Sequence, residues 1–395
     1  MYKWFATLVL TSAMLAHPLS LVTNGQELNL ERKYQALYLK PAVVRICNGI
    51  IGVLEWRGKQ QQINKLSCGS GFFINPDGFI VTNAHVTEFA YKQEGASEDE
   101  IKQRVFSALV EKIAQDSGST AHSVTQEAKL SNFRYIHHVI LPVCGEPLPF
   151  VVKKFGKPNG EGEDAAIIKI EIENAPILKL GNSKQVQLQD PVMLVGYPGA
   201  ADSIPNCKSF HEASFSRGIV SAKKEDESGN QIIQLDAIAS PGNSGGPVLN
   251  DEGEVIGLAT AIGVSGSQPV YGITFVVPTS KIQQYIQDAG TSNQEGATNR
   301  LYRDGLELYA KRCYAVSINK FESVKQIFPQ HSEADKLIRD SRQAISENRE
   351  RLEFFCWLDG MKSPQLLIRL LLAAGVIVVL IALFFFIRRK SVDFL

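Results

Sequence analysis

A serine set among glycines, Ser244, is the residue of this 395-residue sequence whose surroundings best suit nucleophilic chemistry. Gly242 and Gly245 can adopt backbone angles that are closed to other residues, so the main chain there can approach a substrate closely. The amide hydrogens of Gly242 and Ser244 can then point at a developing oxyanion, with Asn243 between them. The stretch predicts an activated hydroxyl beside an oxyanion hole, and a glycine-rich turn between strands is the alternative.

A serine hydroxyl needs a general base, and the base needs an acid that fixes its tautomer. His85 follows the apolar segment 79–82, and Asp164 opens the apolar segment 165–170, where its carboxylate can be partly buried. Each residue alone has an ordinary structural explanation. Together with Ser244 they occur in the order His, Asp, Ser, and this combination predicts a catalytic triad.

The pattern Gly-x-Ser-x-Gly around Ser244 also fits the nucleophile elbow of α/β-hydrolases, which is an alternative interpretation. That fold needs the histidine after the serine in the sequence. The only histidine after Ser244 is His331, which lies in a helical segment. The order of residues therefore argues against the elbow.

Short strands separated by turns must position these residues. A strong turn signal at 75–78 joins two apolar segments, and from 191 to 277 short apolar segments recur between Gly, Pro and Asp turns. This pattern favours an antiparallel β-barrel or sandwich over a parallel sheet.

Residues 92–131 interrupt the strand pattern. Ser97 and Glu100 have the spacing of a capping box, and apolar residues then recur at helical spacing. We interpret this stretch as a helical insertion. It either gates access to the site, contacts partners, or is a tolerated surface insertion.

Beyond a helix at 280–288 and a polar linker at 290–296, the sequence becomes helical. The predicted helices of this segment, 299–352, cover 299–314, 316–328 and 332–352. Gly305, Phe321 and Pro329 have spacings that resemble a tetratricopeptide (TPR) repeat. One repeat falls short of the roughly three that a stable array needs, so an ordinary helical stalk is the alternative.

The N-terminus has the pattern of an export signal. Lys3 supplies the positive charge and residues 5–16 are mostly apolar, which predicts a signal peptide over 1–25. Cleavage after residue 16, 20 or 25 is compatible with the sequence, and an uncleaved anchor is the alternative.

The C-terminus has the pattern of a membrane span. The run Leu370–Ile387 is unbroken apolar sequence and lies in a predicted transmembrane helix over 366–387. Two arginines and a lysine follow at once, which places the tail 388–395 in the cytoplasm. The sequence thus predicts a single-pass membrane protein whose main part lies in the periplasm or an equivalent space.

Composition narrows the function classes. Lys plus Arg and Asp plus Glu both number 41, and this zero net charge argues against a nucleic-acid-binding protein. No residue pattern calls for a metal ion or a cofactor. Four of the six cysteines, Cys47, Cys68, Cys144 and Cys207, could pair in three ways in an exported chain, with buried free thiols as the alternative.

Over about residues 40–290 the sequence resembles trypsin-like serine proteases of the HtrA (DegP) type. The segments that carry the resemblance are 69–74, 82–86, 164–170, 242–247, 253–257 and 271–278. The resemblance implies a mainly β, chymotrypsin-like domain of two six-stranded β-barrels with the site between them. Here a small α-helical segment and one transmembrane helix would follow it, whereas such proteases usually carry β-rich PDZ domains.

The resemblance also implies roles for individual residues. His85 would be the general base, Asp164 would orient it, and Ser244 would attack the peptide carbonyl. Gly242, Asn243 and Ser244 would form the oxyanion hole. The substrate-binding residues implied in the same way are Ile238, Thr260, Ala261 and Ile262.

These substrate-binding residues predict which substrate side chain the enzyme accepts at the cleaved position. Ile238, six residues before the serine, would be a pocket wall with no acid to receive Lys or Arg. Residues 260–262 would be an edge against which the substrate pairs as an added strand. We expect small or medium apolar residues at the cleaved position.

The sequence therefore predicts a membrane-anchored, extracytoplasmic serine endopeptidase in protein quality control. Its substrates would be polypeptides, unfolded proteins among them, and it would need no cofactor. The alternative is a catalytically idle scaffold that recruits protein partners through the helical segment. A homo-oligomer is compatible with both hypotheses.

Overall fold

A computed structural model describes residues 33–158, 163–199, 211–226, 228–265, 268–351 and 356. Within these residues the strands form two closed antiparallel barrels of six strands each, so the predicted mainly β double barrel is confirmed. The predicted signal peptide at 1–25 and span at 366–387 lie outside the described residues. None of the helices inside the described ranges is long and apolar enough to cross a membrane.

The first barrel has the strand order β1-β2-β3-β6-β5-β4. Its strands are β1 (Val43–Trp56), β2 (Lys59–Phe73), β3 (Phe79–Thr82), β4 (Lys129–Ile140), β5 (Leu148–Phe155) and β6 (Ala166–Ile170). The strands β1 and β2 are long because they continue as a hairpin that turns at Arg57 and Gly58. Both turn residues have positive φ, as a two-residue hairpin turn requires.

A disulfide joins β1 to β2 across this hairpin. Cys47 and Cys68 are direct cross-strand partners, and their sulfur atoms are bonded. Cys144 is also disulfide-bonded. For these three cysteines the structure selects bridges over the free thiols that the sequence left open, and Cys207 lies outside the described residues.

Helices cover the projecting hairpin. The three helices between β3 and β4 are α1 (Ala84–Tyr91), α2 (Glu98–Ser117) and α3 (Ala121–Glu127). The predicted capping box is present, since Ser97 and Glu100 exchange hydrogen bonds at the start of α2. The apolar face of α2, including Leu109, packs with Ile50 and Leu54 of β1 in one buried cluster. The strand β4 begins at Lys129, slightly before the predicted end of the insertion at 131.

The second barrel has the strand order β10-β11-β12-β9-β8-β7. Its strands are β7 (Pro191–Gly196), β8 (Ser214–Glu225), β9 (Gln231–Leu235), β10 (Pro247–Leu249), β11 (Val255–Ser265) and β12 (Gln268–Pro278). The candidate nucleophile Ser244 lies in the loop between β9 and β10.

Alternating side chains on the strands build both the barrel cores and the interface between the barrels. On β2, Phe73 belongs to a core cluster of the first barrel, whereas its neighbour Phe72 belongs to a cluster that also contains Met193 and Val195 of the second barrel. Successive strand residues point to opposite faces, so a continuous apolar run fills both. The buried Tyr197 hydroxyl donates to the Val43 carbonyl at 3.0 Å and adds a polar tie between the barrels.

The helices after the second barrel are α4 (Thr279–Asp288), α5 (Ala297–Ala310), α6 (Tyr314–Ile327) and α7 (Ala334–Ser346). The last three take the place of the predicted helices 299–314, 316–328 and 332–352: α5 and α7 are shorter than predicted, and α6 starts two residues earlier and ends one residue earlier. A Cβ at Gly305 would lie 2.5 Å from the Phe321 ring, so α5 and α6 pack closely at two of the three positions that suggested a TPR repeat. A disulfide joins Cys313 to Cys356. The TPR assignment itself stays a prediction.

The buried His331 makes the stability of the helical segment sensitive to pH. Burial lowers its pKa to about 3, and its ring packs edge-on against Tyr302 with 4.2 Å between ring centroids. An unfolded chain protonates histidine near pH ~6.5, so between about pH 6.5 and 3 the unfolded state binds more protons and stability falls as the pH falls. Because of this residue, we expect the free energy of unfolding to fall by about 2 kcal/mol when the pH is lowered from 7 to 5.

Urea denaturation of the purified protein at both pH values measures this cost. The variant His331→Phe should lose that part of the pH dependence, while His122→Gln, at an exposed histidine of α3, should keep it. An unchanged pH dependence in His331→Phe would contradict the assignment.

Candidate active site

Asp164 holds His85 through both its backbone and its ring. The strand β3 ends at Thr82 and α1 begins at Ala84, so His85, which follows the apolar segment 79–82, lies in the first turn of a helix. A backbone N–H in that turn has no partner within the helix, and the His85 N–H donates to Oδ1 of Asp164 at 2.9 Å. The other oxygen, Oδ2, lies 2.5 Å from Nδ1 of His85. A carboxylate is also favoured at a helix N-terminus, so one buried side chain, 2% exposed, orients the whole residue.

Further donors fix the position of Asp164. The Asn83 side-chain amide donates to the Asp164 carbonyl at 2.5 Å, and the Thr260 hydroxyl donates to Oδ2 at 2.6 Å. An ionised carboxylate only accepts hydrogen bonds, so the hydrogen-bond network assigns the proton of His85 to Nδ1. Nε2 is then the ring atom that can accept a proton.

Ser244 reaches this pair through Thr260. The Ser244 hydroxyl donates to the Thr260 carbonyl at 3.3 Å, while the Thr260 hydroxyl binds Asp164. The structure therefore brings His85 and Asp164 into direct contact, whereas the hydrogen bond of the Ser244 hydroxyl goes to Thr260 and not to His85. Catalytic hydrogen bonds are often long or misaligned in substrate-free structures.

The two peptide units that carry the N–H groups of Gly242 and Ser244 are each fixed by a hydrogen bond to their carbonyl. The Pro241 carbonyl accepts from the Gly199 N–H at 2.8 Å, and the Asn243 carbonyl accepts from the Gly246 N–H at 2.9 Å. A trans peptide points its N–H opposite to its C=O, so the N–H groups of residues 242 and 244 point away from these partners. Within the described part of the chain neither of these two N–H groups donates a hydrogen bond.

Gly242 has a φ of 101°, in the region that favours glycine, and a Cβ there would lie 2.3 Å from the Tyr197 carbonyl. Of the three predicted oxyanion-hole residues, Asn243 uses its own N–H within the loop, donating to the Ser240 carbonyl at 3.0 Å. The two donors that are left for an oxyanion are those of Gly242 and Ser244.

The predicted substrate-binding residues fall in two places. Ile238 lies in the loop before Ser244 with 64% of its surface exposed. Thr260, Ala261 and Ile262 are consecutive on β11, which pairs with β12 with a register shift between residues 259 and 261. The Thr260 side chain binds Asp164, a role that the sequence interpretation missed. No local sequence signal could have shown it, since the two residues are 96 positions apart.

Comparisons with known proteins are consistent with this site. Residues 69–258 match the family model described as Trypsin-like peptidase domain. A Probable periplasmic serine endoprotease DegP-like from Chlamydia pneumoniae is 31% identical over 249 residues, covering 61% of this chain and 38% of that protein. The Putative serine protease HhoB from Synechocystis sp. is 28% identical over 233 residues, covering 57% of this chain and 41% of that protein. The chain thus spans less than half the length of these curated relatives.

Among solved structures, the HtrA-type protease AlgW with decapeptide is similar at 21% identity and a TM-score of 0.43, covering 65% of this chain and 66% of that one. The family match and the curated relatives support a serine protease, which is a hydrolase.

Proposed function

We propose that the chain is a membrane-anchored serine endopeptidase whose protease domain lies outside the cytoplasm. The observation that carries the proposal is the chain of hydrogen bonds that runs from His85 through Asp164 and Thr260 to Ser244. The names of the curated relatives, periplasmic serine endoproteases, support the same class. Its substrates are polypeptides, unfolded proteins among them, and its role is protein quality control.

The proposed reaction starts when the Ser244 hydroxyl exchanges the Thr260 carbonyl for Nε2 of His85. Oγ attacks the scissile carbonyl, His85 takes its proton, and Asp164 stabilises the imidazolium through Nδ1. The amides of Gly242 and Ser244 stabilise the oxyanion. His85 then gives the proton to the leaving amine, and water, deprotonated by the same histidine, hydrolyses the ester on Ser244.

Disulfides support the extracytoplasmic location. Cys47 is bonded to Cys68 and Cys313 to Cys356, and such bonds persist in oxidising compartments. The apolar run at 370–387 and the basic residues after it supply the proposed anchor, and the proposed signal peptide is at 1–25.

The proposed pocket accepts small or medium apolar side chains. Ile238 is exposed in the loop that leads to Ser244, and it offers no charge to a Lys or Arg of the substrate. The backbone that follows Thr260 on β11 is the proposed edge for the substrate strand.

A fluorophosphonate probe tests the proposed nucleophile. Activated serines displace fluoride from such a probe, so wild-type protein is expected to be labelled at Ser244, identified by mass spectrometry of the modified peptide. Ser244→Ala should lose the label, whereas Ser221→Ala, which removes an exposed hydroxyl on β8, should keep it. A label on another serine would refute the nucleophile. Absence of both label and casein cleavage in wild type would favour the scaffold hypothesis.

A further inference from the structure

Ser70, near the end of β2, contacts the loop of the candidate nucleophile through both its backbone and its side chain. Its side chain is fully buried, at 0% exposure, and its hydroxyl donates to the Gly242 carbonyl at 2.7 Å. Its backbone N–H donates to the Ser244 carbonyl at 2.7 Å. One residue of the first barrel thus binds a carbonyl on each side of Asn243 in the second barrel.

The Ser70 hydroxyl is itself held in place. It accepts the backbone N–H of Tyr197 at 2.9 Å, so its proton is left for the Gly242 carbonyl. The Ser70 carbonyl accepts the Thr82 hydroxyl at 2.7 Å, and Thr82 ends the strand that leads to His85. Hydrogen bonds therefore run from the strand before the base, through Ser70, to the loop of the nucleophile.

The space around Ser70 fits a small hydroxyl residue. A Cβ at Gly196 would lie 2.9 Å from the Ser70 hydroxyl oxygen, and a Cβ at Gly245 would lie 2.1 Å from the Ser70 carbonyl oxygen. Gly196 ends β7 and Gly245 belongs to the loop, so both elements approach Ser70 more closely than a Cβ at either position would permit.

The two hydrogen bonds from Ser70 act on a part of the loop whose backbone torsions are little restricted by side chains. Gly242 has no Cβ to restrict its backbone, so rotation of the adjacent peptide units has little steric cost. The Ser244 N–H lies in the peptide unit between the two carbonyls that Ser70 binds, and the Gly242 N–H lies one peptide unit before them. Peptide units are planar, so fixing both carbonyls restricts the backbone torsions that set the direction of these two N–H groups. Without the Ser70 hydroxyl, the peptide unit between Gly242 and Asn243 would be held only through the Asn243 N–H, so the backbone between the two oxyanion-hole amides would be less constrained.

We propose that Ser70 is a positioning residue for the oxyanion hole, which holds the Gly242 and Ser244 amides at the angle needed in the transition state. The inference rests on the proposed function, since it concerns the same acyl-transfer site. Ser70 touches neither the substrate nor the reacting atoms, and it acts through the loop that it binds.

The test is Ser70→Ala, assayed with a peptide substrate and with a peptide boronate that mimics the tetrahedral intermediate. We expect kcat to fall about 10- to 100-fold with KM within about threefold, because the hole serves the transition state and not the ground state. The inhibition constant of the boronate should rise in step with the fall in kcat/KM. Ser70→Cys keeps the shape of the side chain with a larger sulfur atom in place of oxygen, and its thiol is only a weak donor, so it should show a loss of the same kind even if the alanine variant folds poorly.

The matched control is Ser317→Ala, which removes an equally buried hydroxyl in the helical segment, where it donates to the Tyr314 carbonyl. It should leave kcat and boronate binding unchanged. Wild-type kcat in both Ser70 variants, a rise in KM alone, or an equal loss in the control would overturn the inference. A wild-type protein without any turnover would instead refute the proposed function.

Discussion

Replacing Ser244 with alanine is expected to lower kcat for peptide hydrolysis by about 10⁶-fold, roughly 8 kcal/mol of transition-state stabilisation. The variant keeps the oxyanion amides and the substrate edge but has no atom that can form the ester. Steady-state hydrolysis of a fluorogenic peptide, at high enzyme concentration for the variant, measures the loss. Ser221→Ala should hydrolyse the peptide at the wild-type rate.

The double variant His85→Ala/Ser244→Ala tests whether the two residues act as one catalytic unit. A base has nothing to activate once the nucleophile is gone, so we expect the double variant to be within about threefold of Ser244→Ala alone. A loss of less than about 100-fold in Ser244→Ala, or effects that multiply in the double variant, would show that the two residues do not act as one unit.

The candidate catalytic residues were easier to predict from the sequence than the contacts that bring them together. The neighbours of Ser244 single it out, since glycines on both sides let the backbone there approach a substrate closely. His85 and Asp164 are far apart in the sequence, yet the structure places them in contact. Their proximity depends on the barrel closing β3 against β6, which the short apolar segments suggested only as a class of fold.

The residues that hold the site were not predictable. Asn83 binds a carbonyl 81 positions away, and Ser70 binds one 172 positions away. Polar contacts of this kind have no periodicity, and a single Ser, Thr or Asn in a strand or loop is compatible with many roles. Thr260 was predicted for the substrate edge, and its hydroxyl has a second role on Asp164.

The hairpin of β1 and β2 was missed for a related reason. Residues 59–68 contain many polar side chains and no regular alternation, so no strand was predicted there. Pairing with β1 along its whole length determines the strand, and α2 packs on part of the apolar side that results. Tertiary context here overrides local propensity.

Asp164→Asn is expected to lower kcat by about 10⁴-fold, roughly 5.5 kcal/mol, with little loss of folding stability. The His85 backbone N–H needs an acceptor, so the amide oxygen of the new side chain should take the place of Oδ1. The amide nitrogen then replaces Oδ2 and donates to Nδ1 of His85. The histidine proton moves to Nε2, where it prevents that atom from accepting the proton of Ser244.

The measurement is kcat for the same fluorogenic peptide, together with the rate of fluorophosphonate labelling, which should fall in parallel. A suitable control is Asp190→Asn, because that carboxylate likewise accepts a backbone N–H, from Gln187 at 2.7 Å, but does not contact the histidine. It should retain the wild-type kcat. If Asp164→Asn kept activity within about tenfold of wild type, the carboxylate would only cap α1, since an amide oxygen serves that purpose equally well. A loss of four orders of magnitude with an unchanged melting temperature would tie the carboxylate to the tautomer of His85, because the backbone contact survives the substitution and the ring contact is reversed.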